Sequence, residues 1–138
     1  MPAISKVLIL SPVWNTVVVP VSNPQTQRYL IEMASLIAHH EGGHIVPLAI
    51  APAHNHMDDP KVLKALAHSQ KLLLAAQTIS QEWGTEAIGQ IRIDDDIAEG
   101  ISRAAREHHA HLIVMGWSEV EGLRARLFGT VIDNVFWA

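Results

Sequence analysis

Short apolar runs rich in β-branched residues alternate along this chain with longer segments of helical spacing, and this pattern most restricts what the chain can fold into. "TVVVPV" (16–21), "HIVPLAI" (44–50), "EAIGQIRI" (86–93) and "HLIVM" (111–115) read as strands. Residues 25–40, 61–83 and 97–109 read as the helices that follow the first three. Strand, helix and strand in repetition make βαβ units, whose right-handed crossovers build a parallel sheet covered on both faces. The expected fold is therefore α/β: a doubly wound, mostly parallel open sheet, Rossmann-like, in three α/β/α layers. Such sheets bind ligands outside the carboxyl ends of their strands, where the strand order reverses. That draws attention to the chain leaving Val21 and the chain leaving Met115.

Turn and cap signals agree with this division. "SNPQ" opens the first helix, the Gly42-Gly43 pair stops it, and Pro60 suits the first turn of the second. Asp94, Asp95 and Asp96 supply an N-cap and favourable charge for the third, a better account of three carboxylates than acid-base chemistry or Mg²⁺ ligation. In the first helix Tyr29, Leu30, Met33, Leu36 and Ile37 form one apolar stripe, expected to face the sheet. In the second, Leu63, Leu66, Leu73, Leu74 and Ile79 are the core candidates.

A chain of 138 residues, 49% hydrophobic, holds one domain with a real core, and residues 1–138 are read as a single unit. Ten Lys and Arg against 14 Asp and Glu leave a net charge of −4, which offers nucleic acid or anionic lipid no basic face. The longest apolar runs fall well short of the roughly 20 residues needed to cross a bilayer, so no direct membrane insertion is expected. With no cysteine and no leader-like N-terminus, a cytoplasmic setting is the expectation.

After the fourth apolar run comes "MGWSEVEGLRARLFGT" (115–130), in which Gly129 and Thr130 open a last helix read as running to Ala138. A helix start there offers free N–H groups to an anion. The plainer account is that Gly116 and Gly122 make a turn and Gly129 and Thr130 merely begin a helix.

"VVVPVSNPQTQRYLIEMASLIA", "IRIDDDIAEGISRAAREHHAHLIVMG" and the loop leading to "FGTVIDNV" together resemble the universal stress protein domain, an adenine nucleotide alpha hydrolase-like fold, over nearly everything from residue 16 onward. In the ATP-binding branch of that family the loop after the fourth strand reads glycine, two residues, glycine, nine residues, glycine, then Ser or Thr. Gly116, Gly129 and Thr130 fall on that pattern, but Glu119 stands where the second glycine belongs. The same branch carries an Asp just after its first strand, where this chain has Ser22. The resemblance thus implies a cofactor site at Ser22, Asn23, Gly116, Trp117, Glu119, Gly129, Thr130 and Val131, degenerate at two positions, for ATP or another adenine nucleotide. A Glu resists the positive φ and close backbone approach that glycine allows. A carboxylate pointing inward would also repel a phosphate about 4 Å away by about 4 kcal/mol at an effective dielectric of 20, more than the helix dipole returns. Pointing outward, it leaves Arg124 and Arg126 free to pair with phosphate. Trp117, after Gly116, either stacks on a base or fills the cleft itself, the second being favoured; Trp14, Trp83 and Trp137 are read as packing residues.

Nine histidines raise the question of a metal. "HNH" (54–56) with Asp58 and Asp59, and "HHAH" (108–111), hold suitable ligand types, yet none has the spacing of a helical metal motif. They are read as loop and helix-end residues, and no metal site is expected. No nucleophile elbow, Cys nucleophile or carboxylate pair supports catalysis, so the expectation is a domain that is not an enzyme.

In this family the last helix normally leads into a fifth strand that helps form a dimer. Here that strand is read as absent, with "KVLIL" (6–10), in an N-terminal extension covering 1–15, as its substitute at an edge or across a homodimer. "PVWNTVVVPVSNPQT" and "LRARLFGTVIDNVFWA" also resemble the soluble tails of some bacterial sodium/proton antiporters. That resemblance implies a regulatory domain on the same chain as a membrane transporter, at the cytoplasmic face of the membrane. The alternative is an ATP-binding universal stress protein with weak or no hydrolysis.

Overall fold

The computed structural model describes residues 4–9, 15–21, 24–51, 60–116 and 136–137. Along the chain the elements are β1 (Ile4–Ile9), β2 (Thr16–Pro20), α1 (Pro24–His40), β3 (His44–Ala51), α2 (Pro60–Glu82), β4 (Glu86–Ala87), β5 (Gln90–Ile93), α3 (Ile97–Glu107), β6 (Leu112–Gly116) and β7 (Phe136–Trp137).

One sheet runs in the order β4-β3-β2-β6-β1-β7, with β5 also on β3. Strands β2, β3, β4, β5 and β6 pair in parallel, while β1 is antiparallel to both β6 and β7. Strand alternation divides the core in two. Val17, Val19, Ile45, Ala49, Leu112 and Val114 meet α1 and α2, while Val18, Val46, Leu48, Ile113 and Met115 meet α3. Burial on both faces explains why these strands read as unbroken apolar runs, each buried Val, Leu or Ile contributing about 1.5–3 kcal/mol.

α1 presents a different stripe from the expected one. Gln27, Leu30, Ile31, Ala34, Ser35 and Ala38 are buried, Met33 and Ile37 are half-buried, and Tyr29 and Leu36 are 47% and 55% exposed. Ala34 and Ala38 let the helix axis approach the sheet, and the true stripe is rotated toward these small residues. The same holds in α2, where Val62, Leu72, Ala76 and Ile79 are buried, Leu66 and Leu73 half-buried, and Leu63 and Leu74 exposed. Trp83, read as a packing residue, is only part-covered: it is 40% exposed, with its indole N–H donating to Glu32 Oε2 at 3.2 Å.

"EAIGQIRI" forms two strands rather than one. Ile45 pairs with Ala87 and Leu48 with Gln90, so the break at Ile88 and Gly89 lies opposite Val46 and Pro47. The Ile45 carbonyl accepts from the Ile88 N–H and the Ala51 carbonyl from the Asp94 N–H, so alternate residues of β3, Pro47 among them, direct their backbone groups to this side. Proline has no N–H to give there, and the ladder lapses for two residues.

The chain does not end on a helix. Phe136 and Trp137 form β7 and pair with Ile9 and Leu8, so a short strand stands where the absence of one was expected. The N-terminal strand, expected at 6–10, occupies 4–9 and lies between β6 and β7.

Candidate functional site

From β2 the chain passes through α1 to β3, through α2 to β4 and β5 at one side of the sheet, and through α3 back to β6 on the other flank of β2. The direction of winding reverses between β2 and β6. Val17 pairs with Leu112 and Val18 with Ile113, and the same parallel register carried forward sets Val21 level with Gly116. Two neighbouring strands therefore release the chain side by side at the carboxyl edge, the one place where a doubly wound sheet opens a crevice for a ligand. Val21 is anchored there by its N–H to the Leu48 carbonyl at 2.8 Å, and Met115 and Gly116 are buried.

Of the expected site residues, Gly116 is thus placed at the end of β6, at the reversal point. Ser22, Asn23, Trp117, Glu119, Gly129, Thr130 and Val131 lie outside the described residues, as do Gly122, Arg124 and Arg126. Gly116 also has a neighbour that the sequence did not reveal: Ile4 of β1 pairs with it from the other side. The apolar run at 6–10 signalled a strand, but no local pattern said against which strand, or in which direction, it would pair.

At the third carboxyl end, Asp96 caps α3 by accepting the Glu99 N–H at 3.1 Å, as expected of "DDD". Asp94 accepts the Asp96 N–H at 3.1 Å and the Arg103 guanidinium at 3.3 Å, so two of the three carboxylates hold the turn into the helix. Further along α3, Arg92 hydrogen-bonds the exposed Glu107 carboxylate and holds its pKa below the ordinary value.

His108 and His111, at the opposite edge, serve the backbone and β5: His108 Nε2 meets Gln90 Oε1 at 2.6 Å, and His111 Nδ1 accepts the Thr16 N–H at 3.3 Å. They point to different partners. Among the described residues no group of three His, Asp or Glu is placed to hold a metal; His54, His56, Asp58 and Asp59 lie outside them. Leu36, Ile37, His40 and Glu41 line a concavity of about 380 Å³ on the C-terminal half of α1, toward the amino edge of the sheet and away from Gly116. Among the described residues no helix is long and apolar enough to cross a membrane.

The sequence profile of the universal stress protein family matches residues 14–137. This chain belongs to the universal stress protein family. Among solved structures, a universal stress protein family member from Burkholderia pseudomallei superposes with a TM-score of 0.72 at 23% identity, over 88% of this chain and 93% of that one. A universal stress protein from Archaeoglobus fulgidus in complex with dAMP gives 0.65 at 19% identity, over 81% of this chain and 88% of that one. A universal stress protein in complex with cAMP gives 0.66 at 19% identity, over 88% of this chain and 89% of that one. At these identities the likeness carries the fold alone. In sequence, the Na⁺/H⁺ antiporter NhaS5 of Synechocystis sp. is 52% identical over 124 residues, which cover 89% of this chain. This universal stress protein domain spans 18% of that relative's length.

Proposed function

We propose that this universal stress protein domain is a regulatory module, not an enzyme, of a sodium/proton antiporter, working at the cytoplasmic face of the membrane. Its site at the reversal between β2 and β6 takes adenine nucleotides weakly. The observation that carries the nucleotide half is the release of Val21 and Gly116 from neighbouring parallel strands at the carboxyl edge. Support for the ligand class comes from the dAMP and cAMP complexes of universal stress proteins with this fold. Support for the antiporter comes from the 52% identity to a protein of that name.

Weakness follows from two residues. Glu119 stands where the ATP-binding branch has a glycine, so the positive φ and close backbone approach that glycine allows become harder and a carboxylate pointing inward would repel phosphate, and Ser22 offers a ribose hydroxyl a neutral partner in place of a charged one. A nucleotide regulates only through unequal affinity for two conformations or two oligomeric states, here including a homodimer. Calorimetric titration with ATP, AMP and cyclic dinucleotides, with and without Mg²⁺, tests the reading. Weak adenine-nucleotide binding supports it. ATP bound at micromolar strength, or turned over, would favour instead an ATP-binding universal stress protein in the strict sense.

A further inference from the structure

The net charge of −4 gave no reason to expect a basic face, yet α2 carries one. Lys61, Lys64 and Lys71, three of the four lysines in the chain, lie on this helix together with His68, and all four side chains are exposed. No Asp or Glu stands between Pro60 and Gln81. Lys64, His68 and Lys71 recur at i, i+4 and i+7, so they share one row along the helix, with the two lysines about 10 Å apart on it. Beside that row Leu63 and Leu74, three turns apart, are 55% and 63% exposed. Leu72, Ala76 and Ile79, on the other side of the helix, belong to the core shared with α1 and the sheet.

Among the described residues nothing balances this row. The salt bridges there start from Arg28, Arg92, Arg103 and Arg106, and none starts from Lys64 or Lys71, while Lys61 is engaged elsewhere. Glu82, the last residue of α2, is held by Arg28 of α1 at 3.3 Å, and Glu32 by the same guanidinium at 3.8 Å. The placement also runs against the helix dipole, which favours carboxylates in the first turn and cations in the last. α2 has no acid in its first turn and no base in its last, and its lysines lie between residues 61 and 71. A face that only had to be solvated would gain from glutamates spaced among those lysines.

A nucleic acid or an acidic peptide would meet the lysines and leave the leucines in water. The boundary region of an anionic bilayer takes both, with phosphates for ammonium groups on flexible stems and acyl chains for leucine side chains a little deeper. We infer that the outer face of α2, with Lys64 and Lys71 beside Leu63 and Leu74, docks the domain on an anionic lipid surface. α1, on the same side of the sheet, widens that face with exposed Tyr29 and Leu36, whereas α3 lies on the other side. The contact is peripheral, since no helix among the described residues is long and apolar enough to cross a membrane. It stands independently of the nucleotide site and of the antiporter assignment.

Co-sedimentation of the whole chain with phosphatidylcholine vesicles, with and without roughly one-third phosphatidylglycerol, tests this at low ionic strength. Binding about tenfold or more stronger to the anionic vesicles is expected. It should fall about tenfold or more in Lys64→Gln with Lys71→Gln, and severalfold in Leu63→Ser with Leu74→Ser. Arg103→Gln with Arg106→Gln removes the same charge from α3 and should bind as the unmodified chain does. Far-UV circular dichroism establishes that each variant is folded. An absence of preference for anionic vesicles overturns the inference, as does an equal loss in the α3 variant, which would make the effect one of net charge. Unchanged binding in the leucine variant overturns the lipid surface as the partner, and so does a single-stranded oligonucleotide that binds through the same lysines while vesicles do not.

Discussion

Gly43→Ala should damage the domain more than any other single methyl group added to the α1–β3 turn. The end of α1 is a Schellman motif: the Gly42 N–H reaches the His39 carbonyl at 3.1 Å, and the Gly43 N–H reaches the Ala38 carbonyl at 2.8 Å. Gly42 carries the positive φ of +70°, yet a Cβ built there meets nothing within 4 Å. Gly43 has an ordinary φ, but its Cβ would lie 1.8 Å from the Asn15 carbonyl oxygen and 2.4 Å from the Asn15 Cα and C. These are backbone atoms and cannot rotate aside. The Asn15 oxygen would have to retreat by more than an ångström, losing the His44 N–H it accepts at 2.7 Å and parting β2 from β3 where their pairing begins. Overpacking against fixed backbone plus one lost hydrogen bond costs about 3–4 kcal/mol. Gly42→Ala should cost only the left-handed penalty of about 1–2 kcal/mol. In urea denaturation followed by circular dichroism, the Gly43 variant should lose two to three times as much stability, with a melting point lower by about 10 °C. Equal losses, or a larger loss for Gly42→Ala, would refute the close backbone contact.

Asp96→Ala should destabilise by about 1 kcal/mol, because the Glu99 N–H loses its side-chain acceptor; chemical denaturation measures it. Ser35→Ala should be neutral or slightly stabilising in the same assay, since the buried Ser35 Oγ has no hydrogen-bond partner among the described residues. Glu107 should titrate below an ordinary glutamate by carboxyl NMR, and Arg92→Gln should return it to the ordinary range. Because the folded pKa is the lower one, this interaction stabilises fully above the unfolded pKa of Glu107, and its contribution is lost as pH falls through the folded value. Pro47→Val restores an N–H opposite the break between β4 and β5, so amide exchange around Ile88 to Gln90 should slow.

The layered sheet was legible because its central strands are buried on both faces, leaving runs such as "TVVV" and "LIVM" that few other structures need. The order of strands and helices followed. Which side of each helix faces the sheet was less legible, because Leu36 and Leu74 outweigh Ala34 and Ala76 in any hydrophobic count, whereas close packing on a sheet selects the smaller residues. Pro47 sits in "HIVPLAI" in plain view, but its consequence falls on Gly89, a partner only the register reveals. The alternation pointed to the chain leaving Val21 and the chain leaving Met115 as candidate ligand-facing strand ends; that β2 and β6 are the neighbours where the order reverses came only with the strand order. Nor was the neighbour of Gly116 legible, since the pairing of Ile4 across the chain is a tertiary choice with no local trace.

The most direct test of the central claim, a universal stress protein site weakened at two positions, is calorimetric titration of ATP into Glu119→Gly combined with Ser22→Asp. On the proposed assignment, exchanging Glu119 for glycine and Ser22 for a carboxylate should tighten ATP binding tenfold or more, about 1.4 kcal/mol at the least. No gain in a folded double variant would contradict the assignment of those two residues to a nucleotide site.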